Sequence, residues 1–162
     1  MRFTLSDKLV PTLDAHLARI SARLGELVPS GEFYHIGATA IPGSITKGDV
    51  DVLLRVDAPD FLPAAESLRS HFAINQPENW TSVFASFADE SSFPFPLGVQ
   101  LVVKDSEADF FLFLVEYFIS KPECLAEYNR IKVQSAPLGV VEYRNAKERF
   151  LTPIIASRPK RG

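Results

Sequence analysis

The chain has 162 residues, an apolar fraction of 46% and a formal net charge of −3. This length and composition predict a single globular domain spanning residues 1–162, and the charge argues against nonspecific binding to nucleic acid. A single cysteine, Cys124, excludes a disulfide framework. No apolar run reaches the length of a membrane span and the first residues lack a signal-peptide core, so we expect a cytoplasmic protein without membrane contact.

Hydrophobic spacing along the chain predicts a mixture of helices and strands. The predicted elements are, in chain order, a helix over 11–27, strands over 33–36 and 50–56, a helix over 57–70, strands over 72–76, 81–88 and 99–104, and helices over 110–119, from 122 and over 140–150. Because the strand over 50–56 is almost continuously apolar, we expect helices on both of its faces. The order predicts an α/β or α+β fold, with a mixed sheet flanked by helices and a helical C-terminal part.

The most informative segment joins the first two predicted strands and carries Asp49 and Asp51. Residues two apart in a strand point to the same face, so both carboxylates project together. Two adjacent carboxylates suit Mg²⁺, and we predict that this pair holds the metal and acts in catalysis. The alternative is a pair of solvated carboxylates at the start of a strand. Asp51 lies within an apolar run, where an unpartnered charge is costly, and this favours the functional interpretation.

A turn of small residues precedes the aspartates and predicts a site for phosphate groups. Gly37 allows a close approach of the backbone, so the N–H groups of Gly37 and Ala38 and the hydroxyl of Thr39 could bind a phosphate. Ser44 and Lys47 follow in the same loop, where Lys47 could neutralise phosphate charge. The alternatives are an ordinary tight turn and an exposed loop lysine.

Two lysines in the C-terminal part each follow a tyrosine by four residues, as Tyr128 with Lys132 and Tyr143 with Lys147. Residues four apart share one face of a helix. We therefore predict that Lys132 and Lys147 bind an anionic ligand in the cleft. The alternative is packing of the lysine stems on the tyrosine rings at the surface.

A two-metal site requires a third carboxylate, which a neighbouring strand usually supplies. The predicted strand over 99–104 offers Gln100 instead, and Asp105 and Glu107 come only at its end. This argues against standard nucleotidyl transfer. His35 directly precedes the turn, where a structural role is more common than a catalytic one.

The motifs together resemble the GrpB family, also called UPF0157, within the nucleotidyltransferase-fold superfamily. The family pattern His-apolar-Gly-Ser-Thr-Ser-Val-Pro-Gly is similar to residues 35–43, and its following Lys-Pro-apolar-apolar-Asp-apolar is similar to residues 47–52. Its C-terminal elements are similar to residues 114–118, 122–123 and the two tyrosine–lysine pairs. The resemblance covers about residues 33–155 and implies a nucleotidyltransferase-like fold, with the glycine turn and the aspartate strand forming the cleft.

The chain departs from this family pattern at several polar positions. Ala38 replaces a serine, Gln100 and Val102 stand where the family has a His-Leu-His element, and Val115 replaces an arginine. Asp49, in contrast, stands where most members have an apolar residue.

Two functions follow as expectations. In the first, the protein binds a nucleotide or another phosphorylated small molecule with Mg²⁺ and transfers a nucleotidyl group to a hydroxyl of an unknown acceptor. In the second, the same fold serves as an inactive ligand-binding or protein-interaction domain. The Phe-rich residues 110–113 are expected either in the core or at a homodimer interface.

Overall fold

The computed structural model describes residues 1–159. Its helices are α1 (Val10–Leu27), α2 (Phe61–Arg69), α3 (Phe111–Ser120), α4 (Pro122–Ser135) and α5 (Val140–Ala156). Its strands are β1 (Thr4–Leu5), β2 (Glu32–Ile36), β3 (Ile45–Thr46), β4 (Val50–Val56), β5 (Ala73–Ile74), β6 (Phe84–Asp89) and β7 (Leu97–Val103). The predicted α/β class, with a mixed sheet and a helical C-terminal part, is confirmed.

Five strands form a sheet in the order β2-β4-β7-β6-β5. The β4–β7 pair is parallel and the other pairs are antiparallel, so the sheet is mixed. Strands β1 and β3 form a separate antiparallel pair. Strands β4 and β7 begin on the side of the sheet where β2 ends. The glycine turn after β2 and the aspartates at the start of β4 therefore meet there.

The two faces of β4 have different neighbours, as the alternation of a strand requires. Its four valine and leucine residues at alternate positions pack with α1 and α2 in the largest core cluster: Val50, Val52, Leu54 and Val56. Leu53, on the other face, packs towards α3. Asp51 and Arg55 share the face of Leu53, one near each end of the strand. Helices therefore cover β4 on both sides, as predicted.

Most predicted elements are present, with corrected bounds. The strand predicted over 72–76 contains only Ala73–Ile74, and the one over 81–88 begins at Phe84. The last helix continues past residue 150 to Ala156, through Pro153. Strands β1 and β3 were not predicted, because two-residue strands carry no periodicity.

The Phe-rich residues 110–113 are at least partly buried, in line with the core interpretation; Phe111 stacks on Phe84 of β6, with 6.3 Å between ring centroids. Within residues 1–159, no helix combines the length and apolar character needed to cross a bilayer.

Candidate functional site

The carboxylate of Asp51 lies between two glycine backbones. Gly98 of β7 is its register partner, and a methyl group at Gly98 would overlap Oδ1 of Asp51. A methyl group at Gly37 would lie 2.9 Å from Oδ2, and Gly37 has a φ of +75°, which favours glycine. Both glycines are therefore required for the carboxylate to sit where it does.

A cavity of about 220 Å³ opens beside Asp51, between the edge of the sheet and the C-terminal helices. Its wall contains every predicted site residue except Thr39: Gly37, Ala38, Ser44, Lys47, Asp49, Asp51, Lys132 and Lys147. Residues far apart in the sequence thus meet around one space, which we call the central cavity.

Thr39 is buried on the opposite side of the turn. Its Oγ1 lies 2.7 Å from Nε2 of His35, and the residue does not line the central cavity. His35 neighbours Ile36 in β2, and Ile36 pairs with Asp51, so alternation directs His35 to the other face of the sheet. The Thr39 hydroxyl is therefore placed to fix the turn, and His35 is not placed to act as a base in the cavity.

Residues 37–48, which we call the glycine loop, are held on one side by helix α4. The Nζ of Lys132 donates to the carbonyl of Ile45 (2.8 Å) and to Oγ of Ser44 (3.2 Å). Asn129 accepts from the N–H of Ile45 (3.1 Å) and donates to the carbonyl of Gly43 (3.0 Å). Ser44 therefore lines the cavity with a hydroxyl already engaged by the protein.

The N-terminal residues hold the glycine loop from the other side. Ser6 donates through Oγ to the carbonyl of Ile41 (2.7 Å) and through its N–H to the carbonyl of Ser44 (2.8 Å). The carboxylate of Asp7 accepts from the N–H of Gly43 (2.7 Å). The loop is thus fixed by the N-terminal residues on one side and by helix α4 on the other.

Lys47 and Lys147 both lie against the ring of Tyr143. Their Nζ atoms are 5.4 Å and 5.0 Å from the ring centroid, and Tyr143 is 3% exposed. Lys132 lies over Tyr128 at 4.6 Å and is itself 3% exposed. The tyrosine–lysine packing exists, but it surrounds the cavity; the surface interpretation is wrong.

Burial and charge shift the ionisation of the cavity residues. Burial, together with the nearby charge of Asp49, raises the pKa of Asp51 to about 6, against the opposing effect of Lys147. Burial lowers the pKa of Lys132 to about 8, with a contribution from Lys147. Burial and Lys47 also lower the pKa of Lys147. Each of these charged groups is therefore more costly in the ligand-free cavity than in water.

The charged residues of the cavity do not pair directly with one another. Among residues 1–159, no ion pair within 4.0 Å joins the two aspartates to Lys47, Lys132 or Lys147. Cations and anions thus face a shared space, which leaves room for a bridging group of either sign.

A third carboxylate does not join the aspartates. In the described part of the chain, no three His, Cys, Asp or Glu residues come together as a metal site. The neighbouring strand instead supplies the neutral amide of Gln100, which lowers the pKa of Asp51 against the larger effect of burial. Asp105 lies beyond the far end of β7, 3.8 Å from Arg55, and Glu116 is exposed on α3. The pair of aspartates is suited to one cation whose other ligands come from water or a bound phosphate.

Sequence comparison identifies the family. The model of the GrpB protein family matches residues 8–157. This chain belongs to the GrpB family. The match covers the resemblance predicted over residues 33–155 and extends it through α1. A GrpB-family relative, a UPF0157 protein of Vibrio cholerae, is 25% identical over 155 residues, covering 96% of this chain and 82% of the relative.

Solved structures with the same fold include GrpB from Enterococcus faecalis, with a TM-score of 0.65 and 16% identity over 89% of this chain and 95% of that one. The Cid1 poly(U) polymerase bound to MgATP has a TM-score of 0.57 and 13% identity over 89% of this GrpB-family chain. The chain spans 50% of that Cid1 structure. A Cid1 structure with MgGTP gives a TM-score of 0.52 at 15% identity, over 78% of this chain and 42% of that one. These likenesses confirm a nucleotidyltransferase-like fold.

Sequence reasoning did not select several residues that line the cavity. The sequence relates Tyr128 and Tyr143 to the cavity only through the lysines that follow each of them by four residues. Helix α3 contributes an apolar wall made of Phe111, Leu114, Val115 and Phe118. Their spacing marks one face of a helix, but the spacing alone does not show whether that face meets the sheet or a ligand.

Proposed function

We propose that this protein binds a nucleotide or another phosphorylated small molecule together with Mg²⁺ in the central cavity. The observation that carries the proposal is the shared wall of Asp49, Asp51, Lys47, Lys132 and Lys147 without ion pairs among them in the described residues. Support also comes from the fold, which the Cid1 polymerase uses with MgATP and MgGTP.

The donor set fits magnesium. Asp49 and Asp51 would hold the ion, since Mg²⁺ is commonly bound by one or two carboxylates together with substrate phosphates. The glycines beside Asp51 leave its carboxylate the space to sit at the cavity wall. When bound, the ion would stabilise negative charge that develops on a phosphoryl group.

The residues of the chain have separate tasks in this proposal. Lys47 and Lys147, which both lie over the Tyr143 ring, would approach the phosphates as point charges. Lys132 adds positive potential but keeps its hydrogen bonds to the glycine loop, so it also positions that loop. Gly37 and Ala38 present the start of a helical turn, where N–H groups lack acceptors within the turn.

Nucleotidyl transfer is the reaction that the fold and the aspartate pair favour. The hydroxyl of an acceptor would attack the α-phosphorus of the nucleotide and lose its proton to water, the bond from that phosphorus to the bridging oxygen would break, and pyrophosphate would leave. Gln100 beside Asp51 favours a second candidate, in which the same site binds its ligand without transfer. An attacking hydroxyl is activated by a group that accepts its proton, and the neutral amide of Gln100 cannot do so.

Calorimetric titration of ATP with and without Mg²⁺ tests the binding proposal. We expect binding that requires the metal and that falls at least about tenfold in Asp51→Asn and in Asp49→Asn. Glu90→Gln, at an exposed position on the loop before β7, is the matched control and should bind as the parent does. Metal-independent binding, or an Asp51→Asn variant with parental affinity, would refute the metal site.

Release of pyrophosphate from Mg-ATP, measured with a panel of hydroxyl acceptors, separates the two candidates. Release that disappears in Asp51→Asn supports transfer. Tight Mg-ATP binding without release for any acceptor supports the binding domain.

A further inference from the structure

The charged and the apolar side chains of the central cavity come largely from different elements. The charged side chains come from the glycine loop, the start of β4, and helices α4 and α5. Helix α3 supplies an apolar wall, and Ile41 and Leu151 add further apolar surface. A ligand that fills the cavity thus contacts both charged groups and hydrocarbon.

The apolar wall carries no side chain that could form hydrogen bonds with the edge of a nucleobase. The polar residues of α3 point elsewhere or are engaged: Glu116 is exposed, Tyr117 contacts Sγ of Cys124 at 3.7 Å, and Ser120 donates to the carbonyl of Tyr117 (3.0 Å). The four wall residues present only carbon atoms. Since discrimination between bases depends on paired donors and acceptors, this wall lacks the means for it.

Two tyrosines bring hydroxyl groups to the cavity. Tyr128 and Tyr143 are 9% and 3% exposed and line the cavity, and neither hydroxyl is engaged by another group in the described residues. Lys132 lies over the Tyr128 ring, and Lys47 and Lys147 lie over the Tyr143 ring, so both phenols border the charged groups. The Tyr128 ring also stacks on Phe118, with 5.1 Å between centroids, and thus joins the charged groups to the apolar wall. Both tyrosines are placed to donate to phosphate oxygens held by these lysines.

We propose that the ligand is a phosphate ester whose organic part is held by apolar contact alone. This rests on the proposed function and specifies its substrate class. The site selects the phosphate chain through its lysines and tyrosines, and it accepts any flat or apolar group against α3. A nucleoside of any base and an alkyl chain are two sources of such an ester.

Titration with Mg²⁺ and each of the four ribonucleoside triphosphates, inorganic tripolyphosphate, ADP and geranyl diphosphate tests the proposal. We expect the four dissociation constants to agree within about fivefold, and tripolyphosphate to bind at least about tenfold more weakly. The ratio of ADP to geranyl diphosphate distinguishes a nucleoside from an alkyl chain, and tighter binding of either supports the shared chemistry. A preference of about a hundredfold for one base, or tripolyphosphate as tight as ATP, would overturn the proposal while leaving the phosphate site intact. Absence of binding by every compound would remove the proposed function as well.

Leu114→Gln places an amide on the apolar wall and should create a difference between bases of about fivefold or more. Ile119→Gln, at a 53% exposed position of the same helix, should preserve the equal affinities. If Leu114→Gln does not fold by circular dichroism, Leu151→Gln makes the same change from α5. The proposal that the base contacts the α3 wall would be contradicted if the parent bound the four nucleoside triphosphates with unequal affinities and neither wall variant changed those affinities.

Discussion

Gly98 lies opposite Asp51 in the parallel β4–β7 pair, and the space of its missing side chain is occupied by Oδ1 of Asp51. The backbone of β7 at Gly98 thus leaves room for the carboxylate of Asp51 on the neighbouring strand β4. A side chain at position 98 would force the carboxylate to move, since the two cannot share that volume.

Gly98→Ala is expected to lower the free energy of unfolding by about 1–3 kcal/mol through this overlap. Chemical denaturation measures the change. The cost should shrink in an Asp51→Ala background, because the clashing carboxylate is gone. Gly25→Ala in α1 is the control: nothing lies within 4 Å of the added methyl, and the change should stabilise by about 0.5–1 kcal/mol. Equal costs of Gly98→Ala in both backgrounds would rule out the overlap as the cause.

Asp51→Asn should stabilise the ligand-free protein at neutral pH. Burial raises the pKa of Asp51 from 3.8 to about 6, so the unfolded chain loses this proton before the folded protein does. Stability therefore falls as pH rises from about 4 to about 6, and the full penalty persists above that range. The neutral amide avoids it, and we expect a gain of about 1–3 kcal/mol at pH 7. Urea denaturation between pH 4 and pH 8 should show the gain vanishing at the acid end.

Glu90→Gln is the control for this series, with an expected change within about 0.5 kcal/mol. The solvated-carboxylate interpretation predicts no gain from Asp51→Asn. A loss of stability at pH 7 would show that Asp51 holds the strand in place.

Binding of Mg-ATP is expected to have a bell-shaped pH dependence. The acid limb follows Asp51, which must lose its proton to hold a metal, with a pKa of about 6. The alkaline limb follows Lys132, which loses its charge with a pKa of about 8. Titration calorimetry across pH 5 to 9.5 in the parent and in Lys132→Gln checks this, because the variant should lack the alkaline limb. An exposed lysine variant, Lys8→Gln, should keep both limbs; an alkaline limb that survives in Lys132→Gln would assign it to another group.

Arg55→Lys should destabilise the fold without affecting ligand binding. Arg55 donates to Asp109 through Nη2 (2.6 Å) and to Glu32 through Nη1 (2.9 Å), at the end of β4 remote from Asp51. Lysine cannot span both carboxylates, so we expect a loss of about 1.5–3 kcal/mol. Arg130→Lys, in an exposed pair with Glu127, should cost less than about 0.5 kcal/mol. Thermal and chemical denaturation give the stabilities, and a weakened affinity for Mg-ATP in Arg55→Lys would link this network to the site.

The fold was largely accessible from the sequence, because its long elements have clear periodicity. The strand over 50–56 and the helix starting at Pro122 have the predicted positions. Asp49 and Asp51 are predicted to project together from one strand; Asp49 lies one residue before β4, and both residues line one cavity. These features depend on local spacing, which a single sequence contains.

Other parts of the site depend on contacts that local spacing does not encode. Thr39 directly follows Ala38 in a short helical turn, and successive side chains of such a turn point in different directions. Thr39 therefore faces His35, whereas Ala38 lines the cavity. The burial of Lys132 depends on Ile45, which is 87 positions away. The spacing of Tyr128 with Lys132 and of Tyr143 with Lys147 predicts that each pair shares a helix face, but it does not show which part of the protein packs on that face.

The anchoring of the glycine loop has a consequence for ligand binding. The loop is fixed during folding by hydrogen bonds from four residues: Ser6, Asp7, Asn129 and Lys132. Because the loop is already ordered, ligand binding does not lose the conformational entropy of ordering it. Two of these anchors, Ser6 and Asp7, precede residue 8, where the match to the family begins. A shortened chain designed from the shared segment alone would keep all the cavity residues and the hydrogen bonds of Asn129 and Lys132, but it would lose those that Ser6 and Asp7 make to the loop.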